Sequence, residues 1–173
     1  YLNVNHTKIL INKRLKNNQM FNIVLFEPEI PPNTGNIIRL CSNADASLHL
    51  IQPLGFDLNE KTLRRAGLDY IDNNLIQIYD NFQHFLKIHE NINLYGISTK
   101  GTKYYHHVNF KKNDFFIFGP ETRGLPEKIR AIIGPDMLLR IPMASNNRSI
   151  NLANTVSIVL YEAWRQNNFT NGN

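Results

Sequence analysis

The sequence has one cysteine, Cys41, among 173 residues. An intramolecular disulfide and a cysteine metal cluster are both excluded, and a reducing, cytoplasmic setting is the expectation. No apolar run approaches the about 18 residues a membrane helix needs, and the start lacks the apolar core of a secretory leader. A glycine-rich dinucleotide loop after the first expected strand, a Walker lysine loop and a serine nucleophile elbow are all missing, which argues against classical NAD, flavin and nucleoside triphosphate chemistry. No convergent set of three or four metal ligands can be assembled, so no metal is expected.

Excess charge is also scarce where it would matter. There are 19 Lys plus Arg against 14 Asp plus Glu, a formal charge of +5. Four of those bases, Lys8, Lys13, Arg14 and Lys16, fall in residues 1–19, where there is no acid. From Met20 onward the chain is nearly neutral, and composition alone does not announce a polyanionic partner. Residues 1–19 read as a basic extension, and 20–173 as a single domain large enough for a full core. Asparagine is abundant, with 25 copies, many in pairs such as Asn73-Asn74 that serve no evident chemistry. That abundance lowers the weight of any single Asn.

Hydrophobic patterning predicts strands at 21–26, 48–52, 75–79, 94–98, 115–118 and 138–143. Helices are expected after Asn36, at 59–66, at 82–89, from Pro126 toward Ile133 and at 152–166. The prolines of 27–32 are expected to keep that stretch irregular, with Asn33 and Asn36 ahead of the helix and able to cap it. Phe115-Phe116-Ile117-Phe118 is almost wholly apolar, as a central strand covered on both faces would be. Short strands alternating with helices describe an α/β domain with a mainly parallel sheet.

In such sheets ligands bind outside the carboxyl ends of the strands. Four polar loops are expected there: residues 33–39, Ser98-Thr99-Lys100-Gly101, residues 119–124, and residues 141–151. Gly119 and Gly124 bracket a turn whose main chain could approach a ligand closely, or which could equally be a tight connection without one. Ile37, Leu40, Cys41 and Ala44 set an apolar stripe, and a 100° step places Arg39 on the opposite side of that helix. Ser149 or Asn151 could cap the last helix or meet a ligand. Tyr104-Tyr105-His106-His107 could stack on bases, form an exposed loop or pack in an interface.

Three blocks carry a resemblance: Glu27-Pro28-Glu29-Ile30-Pro31-Pro32-Asn33-Thr34-Gly35-Asn36-Ile37-Ile38-Arg39; Phe118-Gly119-Pro120-Glu121-Thr122-Arg123-Gly124-Leu125-Pro126; and Ile141-Pro142-Met143 with Arg148-Ser149-Ile150-Asn151-Leu152. The chain resembles the SPOUT superfamily of RNA methyltransferases from about Phe21 to Trp164, and within it the small tRNA wobble-position 2′-O-methyltransferases. The stretches 63–70 and 161–166 also fit that branch.

The resemblance implies a parallel sheet ending in a deep C-terminal trefoil knot, a homodimer, and S-adenosylmethionine as methyl donor. Transfer would be to the ribose 2′-hydroxyl of a wobble cytidine or uridine in the tRNA anticodon stem-loop, leaving S-adenosylhomocysteine. Ile97, Thr99, Gly101, Gly119, Gly124, Ile141, Met143 and Ser149 would line the cofactor pocket. Arg39 would be the principal catalytic residue, with Asn33, Glu121, Ser149 and Asn151 around cofactor and ribose, and Glu121 either orienting Arg39 or supporting its turn. Arg64, Arg65, Lys100 and Tyr161 would contact RNA. The alternatives are 2′-O-methylation of ribosomal RNA or of another tRNA position, and an RNA-binding protein of the same fold without turnover.

Overall fold

The computed structural model describes residues 19–57, 76–145, 147 and 149–172. Seven strands form one sheet: β1 (Phe21–Phe26), β2 (Ala46–Ile51), β3 (Ile76–Tyr79), β4 (Leu94–Ile97), β5 (Lys103–Tyr104), β6 (Phe115–Phe118) and β7 (Leu138–Arg140). Their order is β3-β2-β1-β6-β4-β7-β5, and every neighbouring pair is parallel. Among the described residues four α-helices accompany them: α1 (Pro31–Asn43), α2 (Phe82–Ile88), α3 (Glu127–Ile133) and α4 (Leu152–Gln166).

The period of two along a strand sorts side chains between two cores. Phe21, Ile23 and Leu25 of β1, with Phe116 and Phe118 of β6, pack beneath α1 and α4. Val24 and Phe26, with Phe115 and Ile117, face Phe82 and Phe85 of α2 and Ile129 of α3. β6 is thus buried on both faces, as its continuous apolarity predicts. Each large side chain removed from water here stabilises the fold by about 1.5–3 kcal/mol. The buried stripe of α4, Leu152, Val156, Val159, Leu160 and Ala163, is the one expected from its spacing, and the helix spans the expected residues.

The start of α1 differs from expectation. Pro31 and Pro32 are its first residues, so Asn33 and Asn36 lie inside the helix rather than ahead of it. Proline fits this position because the first turn has no use for its missing N–H. The cap is Ile30, whose carbonyl accepts from the Asn33 and Thr34 N–H groups at 3.1 and 3.3 Å. Cys41 is fully buried in the α1 stripe, and burial pushes its thiol pKa up.

Two strands also depart from the sequence pattern. β7 stops at Arg140 rather than Met143, before Pro142, which cannot donate to a ladder. β5 was not expected, because its two residues pair only with distant β7. Since β7 lies between β4 and β5, residues 98–102 must cross it. The Ser98 N–H donates to the Leu139 carbonyl at 2.9 Å, and a Cβ on Gly101 would come within 2.7 Å of the Leu139 carbonyl carbon. The helix expected at 59–66, with Arg64 and Arg65, lies outside the described residues, as does Arg148.

Candidate active site

Because all pairs are parallel, the carboxyl ends of β1, β6, β4 and β7 stand side by side at one edge. Register aligns Leu25 with Phe118, Phe118 with Ile97, and Ile97 with Leu139. The loop that leads into α1 and Asn33, and the loops holding Gly119, Thr99 and Ile141, therefore leave from adjacent positions.

A relay of hydrogen bonds joins three of these loops. The Glu121 carboxylate accepts from the Glu29 N–H at 2.8 Å, the Ile30 N–H at 3.2 Å and Asn33 Nδ2 at 3.0 Å. Asn33 Oδ1 in turn accepts from Asn151 Nδ2 at 3.0 Å. Asn151 Oδ1 caps α4, accepting from the N–H groups of Ala153 and Asn154 at 2.9 and 3.3 Å. Asn151 is thus the cap of α4 and also the link from that helix start to Asn33. Asn33, by contrast, is not a cap: it is 7% exposed, and its amide is spent joining two other loops.

A second latch runs the other way. The Glu29 carboxylate accepts from Thr122 Oγ1 at 2.7 Å, the Thr122 N–H at 3.1 Å and Arg123 Nε at 3.3 Å, while Arg123 Nη2 reaches Glu27 at 2.7 Å. The hydrogen bond from the Thr122 side chain is the main cause holding the Glu29 pKa below its usual value, followed by the Thr122 N–H and then Arg123. Sequence reading missed Glu29 as an acceptor. Its signal was weak, an acid beside a proline run whose partners lie 93 residues away.

Between these latches the 119–124 turn is built from main chain. A Cβ on Gly119 would fall 2.1 Å from the Leu125 nitrogen and 2.2 Å from the Gly124 carbonyl carbon. Gly124 has φ +64°, a left-handed conformation that costs other residues energy. Its N–H donates to the Pro120 carbonyl at 2.8 Å. At Gly119 and Gly101 the missing Cβ makes room for this chain's own main chain, whereas at Gly124 nothing lies within 4 Å of where a Cβ would stand.

The remaining expected residues are placed as follows. Ile97 is buried, Ile141 is half-buried and packs against the larger core, and Met143 is half-buried. Thr99, Lys100 and Ser149 are exposed. Arg39 is exposed on α1, six residues past Asn33 and so about 9 Å farther along the axis. Tyr161 is exposed on α4, edge-on to Trp164 with centroids 5.6 Å apart.

Two cavities, of about 500 and 350 Å³, lie elsewhere, near the amino ends of the strands, among residues such as His89, Ile92, Asn93 and Leu94. Among the described residues no group of three or more His, Cys, Asp or Glu could hold a metal ion, and no helix is long and apolar enough to cross a membrane.

Comparison with known proteins accords with this arrangement. The chain is 56% identical over 150 residues to the tRNA (cytidine(34)-2′-O)-methyltransferase of Saccharophagus degradans, covering 87% of this chain and 97% of that protein. A structure solved to give structural insights into the 2-OH methylation of C/U34 on tRNA superposes with TM-score 0.81 at 39% identity, covering 87% of this chain and 98% of that one. An AdoMet-bound rRNA methyltransferase from Sinorhizobium meliloti superposes with TM-score 0.72 at 25% identity, covering 84% of this chain and 56% of that one. The SpoU rRNA Methylase family model matches residues 20–161. With most of the chain inside that match and a parallel sheet that superposes on RNA methyltransferases, this chain belongs to the SpoU rRNA methylase family.

Proposed function

We propose that this chain methylates the 2′-hydroxyl of the wobble nucleotide, cytidine or uridine 34, of tRNA. The observation that carries the reading is the Glu121–Asn33–Asn151 relay, which gathers three strand-end loops into one site. It does so in a chain 56% identical to a relative named for this reaction. S-adenosylmethionine would be held by Ile97, Thr99 and Gly101, by the turn between Gly119 and Gly124, and by Ile141, Met143 and Ser149; when bound it supplies an electrophilic methyl group and leaves as S-adenosylhomocysteine. The open space beside Gly124 and the adjacent strand ends from which these loops leave are what support that fit.

The work left to the chain is positioning and charge stabilisation. An arginine at position 39 suits charge stabilisation better than proton abstraction. Its role is to hold an RNA phosphate and stabilise the oxygen of the ribose as it becomes anionic, the hydroxyl proton passing to that phosphate. Asn33 and Asn151 fix the loops around the ribose. Glu121 has its oxygens occupied by two main-chain N–H groups and Asn33, which makes it a positioning residue. Lys100, Tyr161, Arg64 and Arg65 contact RNA. A homodimer would present a shared basic surface, which the near-neutral body of one subunit needs for steering. A knotted threading of the C-terminal part is supported by β7 lying between β4 and β5.

Methyl-labelled S-adenosylmethionine with total cellular RNA, tRNA and ribosomal RNA included, followed by mapping of the labelled ribose, tests the reading. Label on nucleotide 34 is the expected result. Label on ribosomal RNA or at another tRNA position, or RNA binding without label, replaces it with one of the alternatives. Arg39→Gln should lower turnover by about 10²–10³ with RNA binding retained; unchanged turnover removes Arg39 from its role.

A further inference from the structure

β5 and the turn of 3₁₀ helix after it (Tyr105–His107) expose a group of rings at the open edge of the sheet. Tyr104 is 38% exposed. Its ring lies parallel to that of His106, 11° between planes and 5.7 Å between centroids. His107 stands edge-on to His106 at 4.3 Å, and both histidines are exposed. These rings are not closing a core: they present faces to water, which apolar packing alone does not explain.

The charges around them have one dominant sign. The Arg140 guanidinium lies over the Tyr104 ring, 5.6 Å from its centroid, and its Nε is buried without a hydrogen-bond partner. Lys100 and Lys103 are exposed on the same short stretch of chain. The carboxylate that senses His106, Glu162, is already engaged by Arg165 at 2.8 and 2.9 Å and by Gln166 at 2.8 Å. It leaves little negative potential to oppose an anion here.

Position completes the argument. Tyr104 pairs in register with Arg140, the last residue of β7, so the rings sit at the carboxyl edge, on the side of the sheet that carries the candidate active site. In the strand order β5 is three places from β6, which puts the rings about 14 Å from the strand that leads into the 119–124 turn. That is too far for the reacting ribose and suited to nucleotides beside it.

Resting on the proposed RNA-modifying role, we infer that Tyr104 and His106 form a stacking platform for an unpaired base of the substrate RNA, with Lys100, Lys103 and Arg140 facing its phosphates. Exposed aromatic faces beside cations bind single-stranded nucleic acid because every base has a π-face and every linkage a negative charge. The platform extends the grip on the RNA beyond the reacting nucleotide and does not touch the methyl donor.

The test compares a Tyr104→Ala/His106→Ala double variant, Tyr104→Phe and the parent protein. Each is measured for binding of S-adenosylhomocysteine by calorimetry, for mass by light scattering, and for methylation of an anticodon stem-loop RNA. The double variant should raise the KM for RNA about 5- to 150-fold with kcat nearly unchanged, and Tyr104→Phe should stay within about two-fold of the parent. S-adenosylhomocysteine binding and mass should not move. As a second measurement, Lys103→Gln should reduce the salt dependence of RNA affinity by about one phosphate contact.

Parent-like RNA binding in the double variant overturns the platform while leaving the methyl-transfer reading in place. A changed mass with unchanged RNA affinity assigns the edge to a contact between copies and likewise overturns it. A parent protein that neither binds nor methylates the RNA removes the proposed function, and the platform falls with it.

Discussion

The two edges of the sheet treat polar side chains in opposite ways. At the amino edge, His49 of β2 is 1% exposed among rings: Phe85, Phe115, Tyr79 and His89 all lie within 6 Å between centroids. Its Nδ1 meets the Tyr79 hydroxyl at 2.8 Å, and that hydroxyl also meets His89 Nε2 at 2.7 Å and donates to Gln77 at 2.6 Å. At the carboxyl edge, Glu121, Asn33 and Asn151 bond to one another across the loops, while Thr99 and Ser149 are exposed. The amino edge closes its polar groups on one another, whereas the carboxyl edge spends a few of them fastening one strand-end segment to another. Among the described residues the most deeply buried histidine, His49, is held by structural contacts, while the carboxyl edge is fastened by two amides and a carboxylate.

That contrast can be broken most forcefully with acid. Burial, reinforced by the neighbouring His89, lowers the His49 pKa to about 3, and burial lowers that of His89 as well. Below the ordinary histidine value near 6.5 the unfolded chain takes up a proton that the folded chain refuses. Stability contributed by His49 is therefore complete above about pH 6.5 and falls as the pH drops toward 3. The loss is about 1.4 kcal/mol per pH unit, on the order of 4 kcal/mol by pH 3.5. Urea titrations across pH 7 to 3.5 measure it, and His49→Gln should flatten the slope. An equal slope in that variant would place the acid sensitivity elsewhere.

An intermediate effect is expected at the carboxyl edge from Gly119→Ala. The added methyl meets main chain rather than a movable side chain, so the turn must open. A loss of about 1–3 kcal/mol in unfolding free energy is expected, together with loss of S-adenosylhomocysteine binding by calorimetry. If the methyl is accommodated with both unchanged, the turn is not the rigid cradle described.

The smallest effect separates the two jobs of Asn151. Asn151→Ala should cost about 1 kcal/mol through the lost cap. Asn151→Asp keeps an acceptor for Ala153 and Asn154 but removes the donor to Asn33, so stability should hold while methyl transfer falls. Thermal unfolding and turnover on the same two variants distinguish the jobs.

What the sequence disclosed follows from the range of the forces involved. β1, β6 and α4 were legible because burial imposes periods of 2 and 3.6 on neighbouring residues. The site loops were legible from glycine placement and from the resemblance of their blocks to SPOUT enzymes. Pro31 and Pro32 misled because proline both breaks helices and opens them, and only position within the turn decides which. β5 and the acceptor role of Glu29 were invisible for another reason: their partners lie far along the chain, β7 for one and Thr122 and Arg123 for the other. The buried network around His49 left one signal, a histidine between leucines in a strand with no polar neighbour at the next position.

The paired latches have a temporal consequence. Glu121 holds the main chain of Glu29, and Glu29 holds that of Thr122, each across more than ninety positions; Asn151 then fastens to Asn33 from 118 positions away. During synthesis, a ribosome-bound fragment that ends before Asn151 can complete most of the sheet yet cannot assemble the relay. The three loops are therefore joined only after the last strand has been made and the helix that follows it has begun.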